Sequence, residues 1–205
     1  MNKILTDHYR EHYAEDIAYL KTICPEMMSR KIEEANVQQA FTFSQTKKYA
    51  QTDSKILCVG SFEDTAYESL KKLGYDIVGI DPAIDMDLDG YFQNVGNKVD
   101  LIFSTSVIEH VKDDDLFIDQ MCSLLNPGGY GILTCDFRDD YKPGDPMPGE
   151  DQRLYTKKDL LKRFPALLAE HNCSMVGDID YDHEPDFTYG VYKYSFATFT
   201  FKKND

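Results

Sequence analysis

Between residues 55 and 137 the apolar positions switch repeatedly between two periods. Lys55–Val59 is a short apolar run broken by Gly60-Ser61. Ala66, Leu70 and Leu73 then recur at helical spacing up to Gly74, and Ile77–Ile80 is apolar again before Asp81. This pattern predicts strand, helix, strand. A short segment around Met86–Leu88 follows, then a strand at Leu101–Phe103, a helix at Asp115–Leu125 and a strand at Tyr130–Cys135. Strands separated by helices of this length predict a parallel sheet with helices on both faces. Asp81 lies 21 positions after Gly60. A carboxylate about 20 residues beyond a glycine turn is placed to accept both hydroxyls of a ribose.

The flanks read differently. Residues 1–53 are polar and broken at Cys24-Pro25, with Tyr9, Tyr13, Ile17 and Leu20 at helical spacing. They are expected to form an N-terminal helical cap, leaving 54–205 as the sheet domain. The pattern stops in DDYKPGDPMPGED, whose three prolines and two glycines predict a mobile loop over 138–152. Thr156 and Asp159 form a capping box that opens a helix over Lys157–Ala169. Ser174–Tyr181 and Tyr192–Lys202 are the last strands, the final one alternating Phe196, Thr198, Thr200 against Ala197, Phe199, Phe201.

Composition narrows the function. With 205 residues and 42% apolar content the chain suits a single α/β domain with a decorating segment. It has no run near the ~20 apolar residues that span a bilayer. Its charged N-terminus lacks the apolar stretch of a signal peptide, so a cytoplasmic location is expected. Five cysteines, an odd number without a C-x-x-C pair, are expected to be free thiols in a reducing compartment. A net charge of −14 disfavours nucleic acid and anionic membranes as partners. Asp113-Asp114-Asp115 and Asp139-Asp140 offer hard oxygen ligands. Consecutive carboxylates cannot all face one ion, so no metal is expected.

Three stretches together resemble the class I S-adenosylmethionine-dependent methyltransferases. They are ILCVGSFED with IVGIDPA, DLIFSTSVIEHVKDDD, and the helix-turn-strand SLLNPGGYGILT. The resemblance covers about residues 50–137. It implies a Rossmann-like, doubly wound α/β fold: a mostly parallel seven-stranded sheet with an antiparallel C-terminal strand. It implies S-adenosyl-L-methionine as cofactor. The implied cofactor-binding positions are Gly60, Ser61, Asp81, Pro82, Asp87, Leu88, Ser104, Thr105 and Ser106. The chain departs from the family where Cys58 stands for the usual acid at the end of the first strand. The three-glycine turn is also reduced to Gly60, with Phe62 and Asp64 at positions usually small.

Several of these residues fit two readings. Asp85, Asp87 and Asp89 fit either an adenine contact or a solvated loop. Ser104, Thr105 and Ser106 fit either the cofactor's amino acid end or a helix cap. His110 is a candidate proton acceptor, or a structural residue of the Glu109-His110 pair. Tyr9 and Tyr13 can close over an acceptor or pack a helix onto the core. Arg138, Arg153 and Tyr155 are candidate holders of a phosphate or carboxylate on the acceptor.

The expected activity is methyl transfer to an oxygen or nitrogen of a small molecule, of sugar or surface-glycan type. The N-terminal cap and the 138–152 loop would act as its lid. The alternative is a degenerate methyltransferase fold that binds without chemistry, which the eroded glycine turn favours. A nicotinamide-dependent oxidoreductase would want G-x-G-x-x-G, which VGSFEDT does not supply.

Overall fold

The computed structural model describes residues 2–149 and 151–205. The chain opens with strand β1 (Asn2–Leu5) and continues through helices α1 (Tyr9–His12), α2 (Ala14–Ile23), α3 (Pro25–Arg30) and α4 (Glu33–Tyr49). The alternating part follows as β2 (Lys55–Val59), α5 (Thr65–Lys72), β3 (Asp76–Ile80), α6 (Leu88–Asn94), β4 (Val99–Thr105), α7 (Asp114–Leu124) and β5 (Leu125–Phe137). A π-helical turn at Asp159–Arg163 leads into α8 (Phe164–Glu170). Then come β6 (Cys173–Met175), β7 (Ile179–Asp180), β8 (Phe187–Tyr189) and β9 (Tyr192–Lys203).

The sheet runs β3-β2-β4-β5-β9-β1-β7, with β6 and β8 also paired to β9. Strands β3, β2, β4 and β5 are parallel, and β9 is antiparallel to β5. The fold is thus α/β and Rossmann-like, as the sequence implies. The described residues contribute nine strands rather than seven. Period-2 alternation explains the near-continuous apolar strands. In β2, Ile56 and Cys58 face one core with α2, α4 and α5, while Leu57 and Val59 face the other with α6, α7 and α8. Both faces are buried, as parallel sheets require.

Two expectations need correcting at the N-terminus. Residues 2–5 are a strand, not helix: Ile4 and Leu5 pair with Ala197 and Phe196 of β9 and are fully buried. The helices that follow do not stand apart as a lid. Tyr13, Ile17 and Leu20 share one apolar cluster with Ile56, Cys58 and Phe103 of the sheet. Elsewhere, the short segment around Met86–Leu88 is a helix start, where the Asp87 Oδ1 caps α6 by accepting from the Gly90 amide at 2.8 Å. The capping box forms reciprocally between Thr156 and Asp159. The helix it opens is not uniform, however. Pro165 has no amide to give the Leu161 carbonyl, and the backbone widens into the π-helical turn just before it.

Candidate active site

The direction of winding reverses between β2 and β4, because the chain leaves β2 for β3 on one side and returns to β4 on the other. Ligands of open α/β sheets bind at such switch points, beyond the carboxyl ends of the strands. An open cavity of about 660 Å³ lies there, lined by Val59-Gly60, Ile80–Pro82 and Thr105–Val107 at three neighbouring strand ends.

The first wall is the turn after β2. Gly60 has φ +84°, a conformation that costs little only without a side chain. The Gly60 and Ser61 amides both donate to the Ile80 carbonyl, at 2.9 and 3.0 Å, fastening the turn to the end of β3. Asp81 then joins the two segments. Its Oδ2 accepts from the Phe62 amide at 3.2 Å and its Oδ1 from the Ala83 amide at 2.8 Å. A Cβ at Gly60 would collide with the Val107 side chain across the cavity wall. The turn is therefore tuned to close approach between β2 and the segment after β4.

Helix α4 supplies the roof. Gln39 Oε1 accepts from the Thr65 amide, the Thr65 hydroxyl and the Ala66 amide, each at 3.0 Å. Asp64, whose Oδ1 accepts from the Tyr67 amide at 2.7 Å, caps α5 from inside the cavity wall. Burial holds its carboxyl above the usual range, even though the Tyr67 amide and the Lys31 charge oppose the shift. Gln38 lines the cavity and accepts from the Thr134 hydroxyl at 2.8 Å.

The far wall is the segment after β4. Ser106 has φ +55°, uncommon for a residue with a side chain and frequent where function needs it. Its hydroxyl lies 2.6 Å from Glu109 Oε1 and 3.2 Å from Asp136 Oδ1, both carboxyls buried. One hydroxyl proton cannot serve two carboxylates, so the cluster needs a further proton. Burial and the nearby Glu109 and Asp151 charges push Asp136 well above its ordinary value, and burial raises Glu109 despite the neighbouring His110. Both carboxyls are thus held toward their protonated form. His110 also lines the cavity, and its Nδ1 lies 3.2 Å from Asp151 Oδ1.

Because the folded protein holds these protons more tightly than an unfolded chain would, the pair's contribution to stability is greatest in acid. It falls as pH rises from about 4, the unfolded carboxylate range, through the raised values in the fold. Asp136→Asn puts an amide in place of the carboxyl and removes its titration. It is expected to stabilise the protein at pH 8 by about 1 kcal/mol or more, a tenfold difference in proton affinity being worth ~1.4 kcal/mol. Near pH 4 the gain should vanish. Urea unfolding at both pH values checks this, and a gain independent of pH would contradict it.

The cavity brings together Gly60, Asp81, Pro82, Asp87, Leu88, Thr105, Ser106 and His110 from the residues singled out in the sequence. Ser61 and Ser104 lie behind the wall: both are buried, and Ser61 fills the space beside Gly79. Five others are elsewhere. Tyr13 is a core residue packed edge-on against Phe41, and Tyr9 sits under the Lys3 ammonium. Arg138 pairs with Asp140 and Asp145. Arg153 pairs with Asp114 and donates to the Val111 and Lys112 carbonyls. Tyr155 is fully buried, its hydroxyl donating to Ile108 O or Asp114 at 3.0 Å. The acidic run is likewise spent internally, since Asp113 caps α7 and Asp114 and Asp115 pair with Arg163. Phe62, at a position usually small, lies at the cavity's lip and is largely exposed.

Sequence reading missed Gln38, Gln39, Asp64 and Phe117 in the lining and Asp151 behind it. The only advance signal was the unusual density of amides and hydroxyls in residues 36–46.

The Rossmann-like sheet, with a cavity at its switch point and an antiparallel last strand in the chain, is an architecture shared with the class I S-adenosylmethionine-dependent methyltransferases. Residues 9–178 match the family described as methyltransferase domain, and the chain belongs to that family. No curated protein matches the chain. Among solved structures it is similar to TehB from Haemophilus influenzae, at 16% identity and TM-score 0.60, covering 93% of this chain and 67% of that one. It is also similar to 1,6-didemethyltoxoflavin-N1-methyltransferase from Burkholderia thailandensis, solved with 1,6-didemethyltoxoflavin and S-adenosylhomocysteine. That match has 14% identity and TM-score 0.54, covering 98% and 92% of the two chains. Coclaurine N-methyltransferase, bound to N-methylheliamine and S-adenosylhomocysteine, matches at 10% identity and TM-score 0.55, covering 93% and 88%.

Proposed function

We propose that the cavity holds S-adenosylmethionine with its ribose hydroxyls on Asp81 and its adenine between Leu88 and Phe117. The amino acid end then lies along Gly60, Thr105 and Ser106. The donor set fits such a molecule. A carboxylate serves the diol, and apolar Ile80, Leu88 and Phe117 serve the ring. When bound, this cofactor supplies an electrophilic methyl group on a sulfonium. The protein then has mainly to align an acceptor and exclude water.

The acceptor is an oxygen or nitrogen of a small molecule. The observation carrying this reading is His110 in the cavity wall beside Asp151, an imidazole within reach of the proton that a hydroxyl or ammonium must lose. Gln38, Ser106 and His110 offer hydrogen bonds to a hydroxylated acceptor, which supports a sugar or surface-glycan precursor. The departures at Cys58 and Phe62 support the rival reading, a binding module without chemistry.

Calorimetry with S-adenosylhomocysteine, then a screen of sugars, amines and phenols for S-adenosylhomocysteine release, tests both. Binding with turnover of a hydroxylated or amino acceptor supports the enzyme. Binding without turnover of any acceptor supports the rival, and no binding removes both.

A further inference from the structure

On α7, Cys122 and Ser123 stand one turn beyond Asp119, so the three share one helix face. That face is fastened to the segment entering β6. Asp119 Oδ1 bonds His171 Nε2, and Ser123 Oγ lies 3.4 Å from His171 Nδ1. A third contact comes from β9. Lys203, the register partner of Cys173, donates from Nζ to the Cys122 carbonyl at 2.8 Å. Between these contacts the Cys122 and Cys173 thiols meet in a hydrogen bond of their own. Both belong to one buried cluster, both are reduced, and neither lines the cofactor cavity. The remaining cysteines are placed apart: Cys24 Sγ lies 3.6 Å from Ser69 Oγ, while Cys58 and Cys135 sit inside β2 and β5.

We propose that Cys122 and Cys173 form a redox-active dithiol, which a peroxide closes to a disulfide between α7 and β6. Cys173 is the attacking group. The Cys122 S–H aimed at its sulfur, helped by the Lys203 ammonium, holds the Cys173 thiol below its usual range although burial opposes the shift. The same hydrogen bond, with burial, pushes Cys122 up, so it stays a thiol until it is needed. Burial also pushes Cys58 and Cys135 well up, which leaves them inert.

The Cys173 sulfur attacks one peroxide oxygen and the O–O bond breaks, giving a sulfenic acid and one water. The Cys122 sulfur then attacks the Cys173 sulfur. The S–O bond breaks, and the Cys122 proton leaves with the hydroxide as a second water. Two thiols have lost two electrons and two protons, and one peroxide has become two waters. Exchange with a thiol reductant reverses the step. Access needs only a local opening, because β6 is three residues long and, among the described residues, pairs with β9 alone. The cross-link would also steady the cavity wall, since Leu116, Phe117 and Gln120 of α7 line it.

Hydrogen peroxide applied to the folded full chain, followed by alkylation, unfolding and peptide mass spectrometry, tests the proposal. The expected product is one intramolecular Cys122–Cys173 cross-link, with Cys24, Cys58 and Cys135 still alkylatable after unfolding and both thiols recovered with dithiothreitol. In Cys122→Ser, dimedone should trap a sulfenic acid on Cys173. In Cys173→Ser, oxidation at Cys122 should slow at least about tenfold, one unit of thiol pKa being ~tenfold in thiolate. The map of the unaltered protein decides the matter even if a variant fails to fold. Both thiols left reduced, a cross-link to any other cysteine or between two chains, or Cys173 taken to a sulfinic acid with Cys122 still reduced would each overturn it.

Discussion

Asp81→Ala is expected to weaken S-adenosylhomocysteine binding at least tenfold while the protein stays folded. Two charge-assisted hydrogen bonds from ribose hydroxyls are worth roughly 1.5–3 kcal/mol each, and tenfold in affinity is ~1.4 kcal/mol. The carboxylate is also a structural acceptor, since Phe62 and Ala83 donate to its two oxygens. Part of the loss would therefore come from a looser turn. Asp81→Asn separates the two effects. Its side chain keeps one acceptor oxygen for the backbone but cannot accept from both hydroxyls as an anion. Calorimetry gives the affinities and thermal melts give the stability. An affinity unchanged in a folded Asp81→Ala protein would remove Asp81 from the cofactor site.

The second large effect is on the fold itself. Removing residues 1–20 is expected to abolish cooperative folding rather than merely open a lid. Ile4, Leu5, Tyr13, Ile17 and Leu20 are all buried, and burying one such side chain is worth about 1.5–3 kcal/mol. Losing five approaches the whole 5–15 kcal/mol by which a typical domain is stable. The deletion would also strip β1 from between β9 and β7 and expose an edge of β9, a template for aggregation. Circular dichroism melts and size-exclusion chromatography read the outcome. A truncated chain that melts cooperatively and binds S-adenosylhomocysteine normally would show that the N-terminal segment is a detachable cap after all.

Gly60, Asp81 and Ser106 lie at the ends of three neighbouring strands that a one-dimensional pattern can recognise. Strands buried on both faces are near-continuous apolar runs, and the turn after such a strand must be glycine or strained. That is why β2 matches its expected bounds residue for residue and β3 starts one residue before its apolar run, and why Asp81 could be named from spacing alone. Arg138, Arg153 and Tyr155 illustrate the opposite case. Their residue types suited an anionic acceptor, but a residue type does not say which partner is nearer. The acids Asp140, Asp145 and Asp114 claimed the two arginines, and the core and Asp114 claimed the tyrosine.

The sequence by itself determined the alternating strands and helices and the acid at the end of β3, because these follow from period, glycine and chain order. Tertiary structure alone decided the rest of the site. Helix α4 buries Asn36, Gln38, Gln39, Thr42, Gln45 and Thr46, so polarity gave no hint that it is an interior helix. Gln38 and Gln39 are tolerated there because they hydrogen-bond Thr134 and the first turn of α5, partners 26 to 96 residues away. Asp151 reaches His110 across 41 positions of chain, held there in part because Gln152 and Arg153 bond backbone carbonyls, which every residue has. Such pairings depend on where the fold brings backbone and side chain together, and no local pattern encodes that.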